Sequence, residues 1–244
     1  MWNADDSEVT ARRTGAGAAC EFSVTRAVDV GAYFEDGRLV LARRGGRESL
    51  LPRSEVRLPG PHNLANVLAA LATVLPLEPT PDVLRSVLRD YRGLEHRLEP
   101  AGQLNGVRFV NDSKATNTDS LRVALQSFKE PLVLIAGGRD KGQDFRPLAD
   151  LVRTHVRHLV LIGEGADALS RAWPDVPQER AATLPDAVRA AYEAAQGATA
   201  EGGSGAVVLL SPGCASFDMF RDYEDRGRRF KDEVARLAVG GVTA

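Results

Sequence analysis

The sequence predicts an α/β protein whose larger part is a doubly wound parallel sheet. Three observations carry this. From about residue 106 onward, short apolar runs alternate with segments whose apolar residues recur at helical spacing. The runs at 131–136 (Pro-Leu-Val-Leu-Ile-Ala), 158–162 (His-Leu-Val-Leu-Ile) and 206–210 (Ala-Val-Val-Leu-Leu) do not alternate with polar residues, as expected of strands covered on both faces. Repeated strand–helix units of this kind wind into a parallel sheet through right-handed crossovers.

Taken in order, residues 1–57 read as short strands and turns. Strands are predicted at 22–28, 32–34 and 38–42, with Glu35-Asp36-Gly37 as a hairpin turn and residues 15–19 as a loop of small residues. From Pro59 the pattern changes. Leu64, Val67, Leu68, Leu71 and Leu75 form one apolar helical stripe, ended by Pro76. A second helix runs from Pro81 to Asp90 and carries Val83, Leu84, Val87 and Leu88. The turn Tyr91-Arg92-Gly93 marks a domain boundary, giving domains of residues 1–93 and 94–244. Beyond it, strand 106–110 leads to helix 118–128, which Asn117 or Thr118 can cap. Strand 131–136 leads to helix 145–155, and strand 158–162 to helix 165–173. A further helix covers about 184–196, a Gly/Ala/Ser-rich stretch at 197–205 reads as a mobile loop, and strand 206–210 leads to helix 218–238.

The bulk composition sets bounds. A chain of 244 residues holds one large or two modest domains with a real core. A net charge of −2 gives no nucleic-acid or membrane surface. Cys20 and Cys214 lie too far apart in sequence to read as a disulfide framework, and point to a reducing compartment. No run of 18 apolar residues occurs, and the acidic start Met1-Trp2-Asn3-Ala4-Asp5-Asp6 has no signal-peptide character, so a soluble cytoplasmic protein is expected.

The loops after the predicted parallel strands are Asn111-Asp112-Ser113-Lys114-Ala115-Thr116, Gly137-Gly138-Arg139-Asp140-Lys141-Gly142, Gly163-Glu164-Gly165 and Ser211-Pro212-Gly213-Cys214-Ala215-Ser216. In a parallel sheet the strand C-termini share one edge, where ligands bind. Of 31 Lys plus Arg only four are lysines, and two of them, Lys114 and Lys141, stand in these loops. A lysine is a compact charge with rotatable donors, suited to a phosphate or carboxylate. Gly137-Gly138 is expected to let backbone approach the ligand, and Ala215 and Ser216 to stand at a helix N-terminus, an anion seat. An anionic small-molecule site is predicted. Cys214 has no nearby histidine in sequence and reads as a small buried residue. The four histidines lack ligand spacing, so no metal site is read, and His155 and His158 are expected to be helix-end residues.

Several stretches together resemble one family. They are His62-Asn63-Leu64-Ala65-Asn66, His96-Arg97-Leu98-Glu99, Asn111 through Asn117, and Ser211-Pro212-Gly213-Cys214-Ala215-Ser216-Phe217-Asp218 with Arg226-Gly227 and Phe230 beyond. In this order they resemble the Mur ligases of peptidoglycan synthesis, in particular the members that add D-glutamate. The resemblance implies a Rossmann-like C-terminal domain for the amino acid, preceded here by an incomplete part of the α/β central ATPase domain. It implies ATP and Mg²⁺, an acyl phosphate formed on UDP-N-acetylmuramoyl-L-alanine, and attack on it by D-glutamate. A monomer is implied for the full-length enzyme. By the same resemblance Asn63, Asn66, Arg97 and Asp112 contact ATP, and Lys114 and Asp112 are catalytic. Thr116, Lys141, Ser216 and Tyr223 hold D-glutamate.

Plainer readings stand beside these. Asn63 can cap the helix after Pro61, and Tyr223 lies on the stripe Phe220, Tyr223, Gly227, Phe230, Val234 and Leu237. No Gly-x-x-x-x-Gly-Lys-[Ser/Thr] loop occurs, and the family's upstream Mg²⁺ ligands are not found. The expectation is therefore the C-terminal half of such an enzyme, inactive alone and exposing an apolar sheet edge in residues 1–93. The alternatives are a non-catalytic amino-acid or nucleotide-binding fragment, or another ligase of this type such as a folylpolyglutamate synthase.

Overall fold

The computed structural model describes residues 1–12, 20–58, 60–200 and 205–240, without the side chains of 198–200 and 240. The predicted small-residue loop at 15–19 lies outside the described residues. The chain divides into two compact units, Met1–Gly93 and Leu94–Ala244.

The first unit begins with β1 (Trp2–Asn3), α1 (Ser7–Ala11), β2 (Glu21–Ser23), β3 (Gly31–Glu35), β4 (Arg38–Arg43) and β5 (Gly46–Pro52). α2 (Pro61–Val74) and α3 (Pro81–Asp90) follow. The strands form one sheet in sequence order, parallel from β1 to β3 and antiparallel from β3 to β5. Between β3 and β4, Asp36 (φ 48°) and Gly37 (φ 77°) both turn left-handed, the geometry a tight two-residue hairpin loop requires. The strand predicted at 22–28 stops at Ser23. There the Asp5 carboxylate accepts from Ser23 Oγ (2.6 Å), Val24 N–H (2.7 Å) and Thr25 Oγ1, and these bonds draw the backbone out of the ladder. β1, α1 and β5 were not predicted. β1 and α1 are very short, and the first half of β5 (Gly-Arg-Glu-Ser) has no apolar alternation. Among the described residues no long apolar edge appears, because β1 has two residues and β5 opens with polar ones. α2 packs Val67, Leu68 and Leu71 onto Ala32, Leu39 and Leu41 of the sheet.

The second unit runs β6 (Glu99–Leu104), β7 (Val107–Asn111), α4 (Thr118–Leu125), β8 (Leu132–Gly137), α5 (Ala149–His155) and β9 (Val156–Ile162). It continues with α6 (Ala166–Ala172), β10 (Gln178–Arg180), α7 (Leu184–Ala200), β11 (Val207–Gly213) and α8 (Tyr223–Gly240). The sheet order is β10-β9-β8-β11-β7-β6. Five strands are parallel, and only β6 runs antiparallel, against β7. β8 and β11 are buried at every position. One face is covered by Leu121, Leu125, Leu148, Val152, Leu169 and Trp173, the other by Leu184, Val188, Ala191, Phe230 and Val234. This is the doubly wound α/β layering that the apolar runs predicted.

The differences from prediction lie at edges and helix starts. β6 carries Pro100 and Gly102, which only an edge strand with a bulge tolerates, so its sequence hides it. β10 is three residues long and largely exposed. His158 is in β9 rather than at a helix end, with Nε2 3.0 Å from Glu179 Oε1 on β10. Residues 197–200 continue α7 instead of opening a loop, and 201–204 lie outside the described residues. The last helix begins at Tyr223, not 218. The Ser216 carbonyl accepts from Met219 and Phe220 N–H in a separate turn, and Asp222 Oδ1 accepts the Asp225 N–H at 2.6 Å as the true cap.

Candidate functional site

The site is built where β7, β8, β9 and β11 end. At the end of β7, Asn111 is fully buried. Its Nδ2 donates to Glu99 Oε2 and to His96 Nδ1, both at 2.9 Å, and its Oδ1 accepts the Ser113 N–H. Because Ser113 fixes which end of the amide is oxygen, His96 Nδ1 is an acceptor and its proton sits on Nε2. Burial holds the His96 pKa below its usual value, so the ring stays neutral.

Asp112 is 5% exposed. Its Oδ1 accepts from Leu98 N–H (3.2 Å) and its Oδ2 from Ser211 Oγ (2.8 Å). Burial raises its pKa from 3.8 to about 7, against the pull of those bonds and of Arg97 and Arg226. Both oxygens are thus engaged inside the protein. Lys114 follows, half-buried. Its N–H donates to the His96 carbonyl (3.0 Å), and its Nζ lies 3.0 Å from Tyr223 Oη and 4.8 Å from the Tyr223 ring centre. Thr116 is half-buried, and Asn117 caps α4 through the Ser120 N–H at 2.8 Å.

At the end of β8, a Cβ on Gly137 would lie 2.0 Å from the Ile162 carbonyl oxygen, and one on Gly138 2.3 Å from that of Ala215. The two glycines therefore make room for neighbouring backbone. Asp140 Oδ1 accepts the N–H groups of Gly142 and Gln143, shaping a turn that leaves Lys141 exposed and without a hydrogen bond or ion pair to a described residue.

At the end of β11, Ser216 is 2% exposed and lies in the turn before α8, not at the helix N-terminus. Burial pushes the Cys214 thiol up to about 12, which removes it as a nucleophile. Asp218 Oδ2 accepts the Glu164 N–H (3.0 Å) and ties in the loop after β9.

Two residues unassigned by sequence hold these loops together. Gln143 accepts from Thr118 N–H (3.1 Å) and donates to the Gly213 carbonyl (3.0 Å). Arg226, fully buried in α8, donates to Ser113 Oγ (2.9 Å), to the Ser113 carbonyl (2.8 Å) and to the Cys214 carbonyl (3.2 Å). Burial lowers its pKa to about 10, so it remains charged. For Arg226 the signal was its place beside Gly227. For Gln143 there was none.

The sheet therefore gathers Asp112, Lys114, Thr116, Lys141, Ser216 and Tyr223 at one edge of the second unit, with exposed Arg97 in the segment leading to β6. Asn63 and Asn66 lie in the first unit, 3.3 Å apart as Asn66 Nδ2 to Asn63 Oδ1. The capping reading of Asn63 fails. It lies inside α2, whose cap is Gly60, and Arg53 binds the preceding carbonyls of Val56 and Leu58.

Glu95, His96 and Glu99 come close enough to group as metal-ligand types. They do not fit an ion as arranged. Lys231 Nζ fills the space with bonds to Glu95 (2.7 Å) and Glu99 (3.0 Å), and His96 offers no free lone pair.

Residues 96–214 match the family described as Mur ligase, glutamate ligase domain. The chain is 46% identical over 238 residues to UDP-N-acetylmuramoylalanine–D-glutamate ligase of Pelobacter propionicus, covering 96% of this chain and 51% of that protein. It is 43% identical over 248 residues to the enzyme of the same name from Salinibacter ruber, covering 97% and 52%. The chain thus spans about half the length of the curated relatives it matches. Among solved structures it shares its fold with a pseudomurein peptide ligase type C from Methanothermus fervidus (TM-score 0.65, 12% identity, 97% of this chain and 56% of that one). It also resembles Mycobacterium tuberculosis folylpolyglutamate synthase complexed with ADP (TM-score 0.61, 18% identity, 87% and 48%).

Proposed function

Through residues 96–214 this chain belongs to the Mur ligase family, and from that premise we propose that it supplies the amino-acid-receiving part of an ATP-dependent D-glutamate ligase. The observation that carries this is the convergence of Lys114, Lys141 and Ser216 on one sheet edge. In this reading a carboxylate oxygen of UDP-N-acetylmuramoyl-L-alanine attacks the γ-phosphorus of ATP, and ADP leaves. The D-glutamate nitrogen then attacks the acyl carbon, phosphate leaves, and the amine loses a proton. Both steps gather negative charge, which fixed cations stabilise.

Lys114 is the cation for the transferred phosphoryl group, since its ammonium is held in place at the end of β7. Lys141, exposed and unengaged, takes the side-chain carboxylate of D-glutamate, with Thr116 and Ser216 as its polar companions. Arg97 meets the phosphates, and Asn63 and Asn66 contact ATP. Asp112 acts by bonding Leu98 and Ser211, which orients the neighbouring Arg97. Glu95, His96 and Glu99, bridged by Lys231, do not fit Mg²⁺ as arranged, so no step is assigned to it. Among the described residues no helix is long and apolar enough to cross a membrane, and the cytoplasm, where ATP and the UDP-sugar reside, is the proposed location.

The test is a D-glutamate titration of the chain followed by NMR, with L-glutamate as control. D-glutamate is expected to shift residues around 114–117, 139–143 and 214–217, and to bind at least about tenfold more weakly after Lys141→Ala, as for loss of a charged hydrogen bond. Equal binding of the two enantiomers would sink the proposal.

A further inference from the structure

We propose that Tyr223 is the positioning residue of Lys114, setting where its ammonium points. The inference rests on the ligase reading only for what Lys114 faces, not for how it is held.

The backbone at the base of Lys114 is fixed on all sides. Its N–H is bound to His96, the preceding carbonyl to Arg226, and the following N–H and carbonyl to Asp112 and Gly213. What remains free is a four-carbon stem with several rotatable bonds, costly to order. Tyr223 is the residue that orders it. The phenol oxygen lies 3.0 Å from Nζ and the ring centre 4.8 Å, so one side chain supplies both a hydrogen bond and a cation–π contact.

Tyr223 is itself held. Its carbonyl accepts from Ser113 Oγ (2.8 Å), and the His96 ring meets its ring edge-on at 6.1 Å and 84°. His96 in turn presses on Gly227, where a Cβ would sit 2.2 Å from Nδ1. The phenol oxygen takes one ammonium N–H and leaves two for an anion. A phenylalanine at 223 keeps the ring face and loses the hydroxyl.

The four lysines make the test simple. With ¹³C-labelled lysine, the Lys114 ε-methylene signal, assigned by its loss in Lys114→Arg, is expected to show an aromatic ring shift in the unaltered chain. Tyr223→Phe keeps that shift and Tyr223→Leu abolishes it. Inorganic phosphate, the probe for the anion Lys114 faces, is expected to bind about threefold more weakly to Tyr223→Phe and about tenfold more weakly to Tyr223→Leu, from the usual strengths of such bonds. The Lys141 signal stays unchanged, which a merely structural role would not permit. An unshifted Lys114 signal in the unaltered chain overturns the proposal, as does undiminished phosphate binding by Tyr223→Leu. If Lys114→Ala leaves phosphate binding intact, the ligase role of Lys114 fails instead, and the ring-shift comparison still decides the positioning.

Discussion

Asp112 shows what a single residue contributes and what it costs. Its carboxyl keeps its proton to about pH 7 in the folded chain because burial disfavours the charge. The unfolded chain loses that proton near pH 4. Between the two values the folded state binds more protons, so stability falls as pH rises and levels off above pH 7. The span corresponds to as much as about 4 kcal/mol. His96 acts in the opposite sense. Its lowered pKa gives stability that is complete above its usual value and is lost as pH falls below it. Asp112→Asn isolates the first effect, since an amide can still accept from Leu98 and donate to Ser211. Urea unfolding at pH 5 and pH 8 is expected to show the variant gaining on the unaltered chain at the higher pH. Parallel behaviour would refute the buried-proton account. The two rim lysines separate kinetically in the ligase. Lys141→Ala raises KM for D-glutamate, as loss of a ground-state anchor. Lys114→Ala lowers kcat, because its charge meets the phosphate as it develops in the transition state. An unchanged D-glutamate KM in Lys141→Ala would remove the first assignment.

Among the elements, α8 does most to shape the site. Tyr223, Arg226, Gly227, Phe230 and Lys231 fall at helical spacing on one face and reach Lys114, Ser113, His96, the core and the Glu95/Glu99 pair in turn. One helix thus sets both the loop after β7 and the segment before β6. In an open helix, glycine to alanine gains about 1 kcal/mol of stability. At Gly227 the added Cβ would lie 2.2 Å from the His96 ring, so Gly227→Ala is expected to destabilise the second unit, read as a drop in melting temperature. A rise would mean that His96 can move aside, and that α8 does not clamp the site as described.

For the whole molecule, the two units differ in how deeply their sheets are covered. β8 and β11 lie between two apolar layers, whereas β1 is a two-residue edge strand with no buried residue. Amide exchange is expected to be slowest in β8 and β11, through global opening of the second unit, and fastest in β1 and β2. Uniform protection across both units would contradict this. The sequence by itself determined the α/β class, because both-face burial demands uninterrupted apolar strands and each such strand here is followed by a helical stripe. It determined where the central strands fall along the chain and the loops that hold Lys114, Lys141 and Ser216, since those loops are the polar breaks between apolar runs. Tertiary structure alone decided the rest. Edge strands such as β6 need no apolar pattern because one side of them faces solvent. Gly137 and Gly138 answer to Ile162 and Ala215, which are distant in sequence. The buried charge of Arg226 and the proton on Asp112 depend on which groups close over them, and only the packed chain brings those groups together.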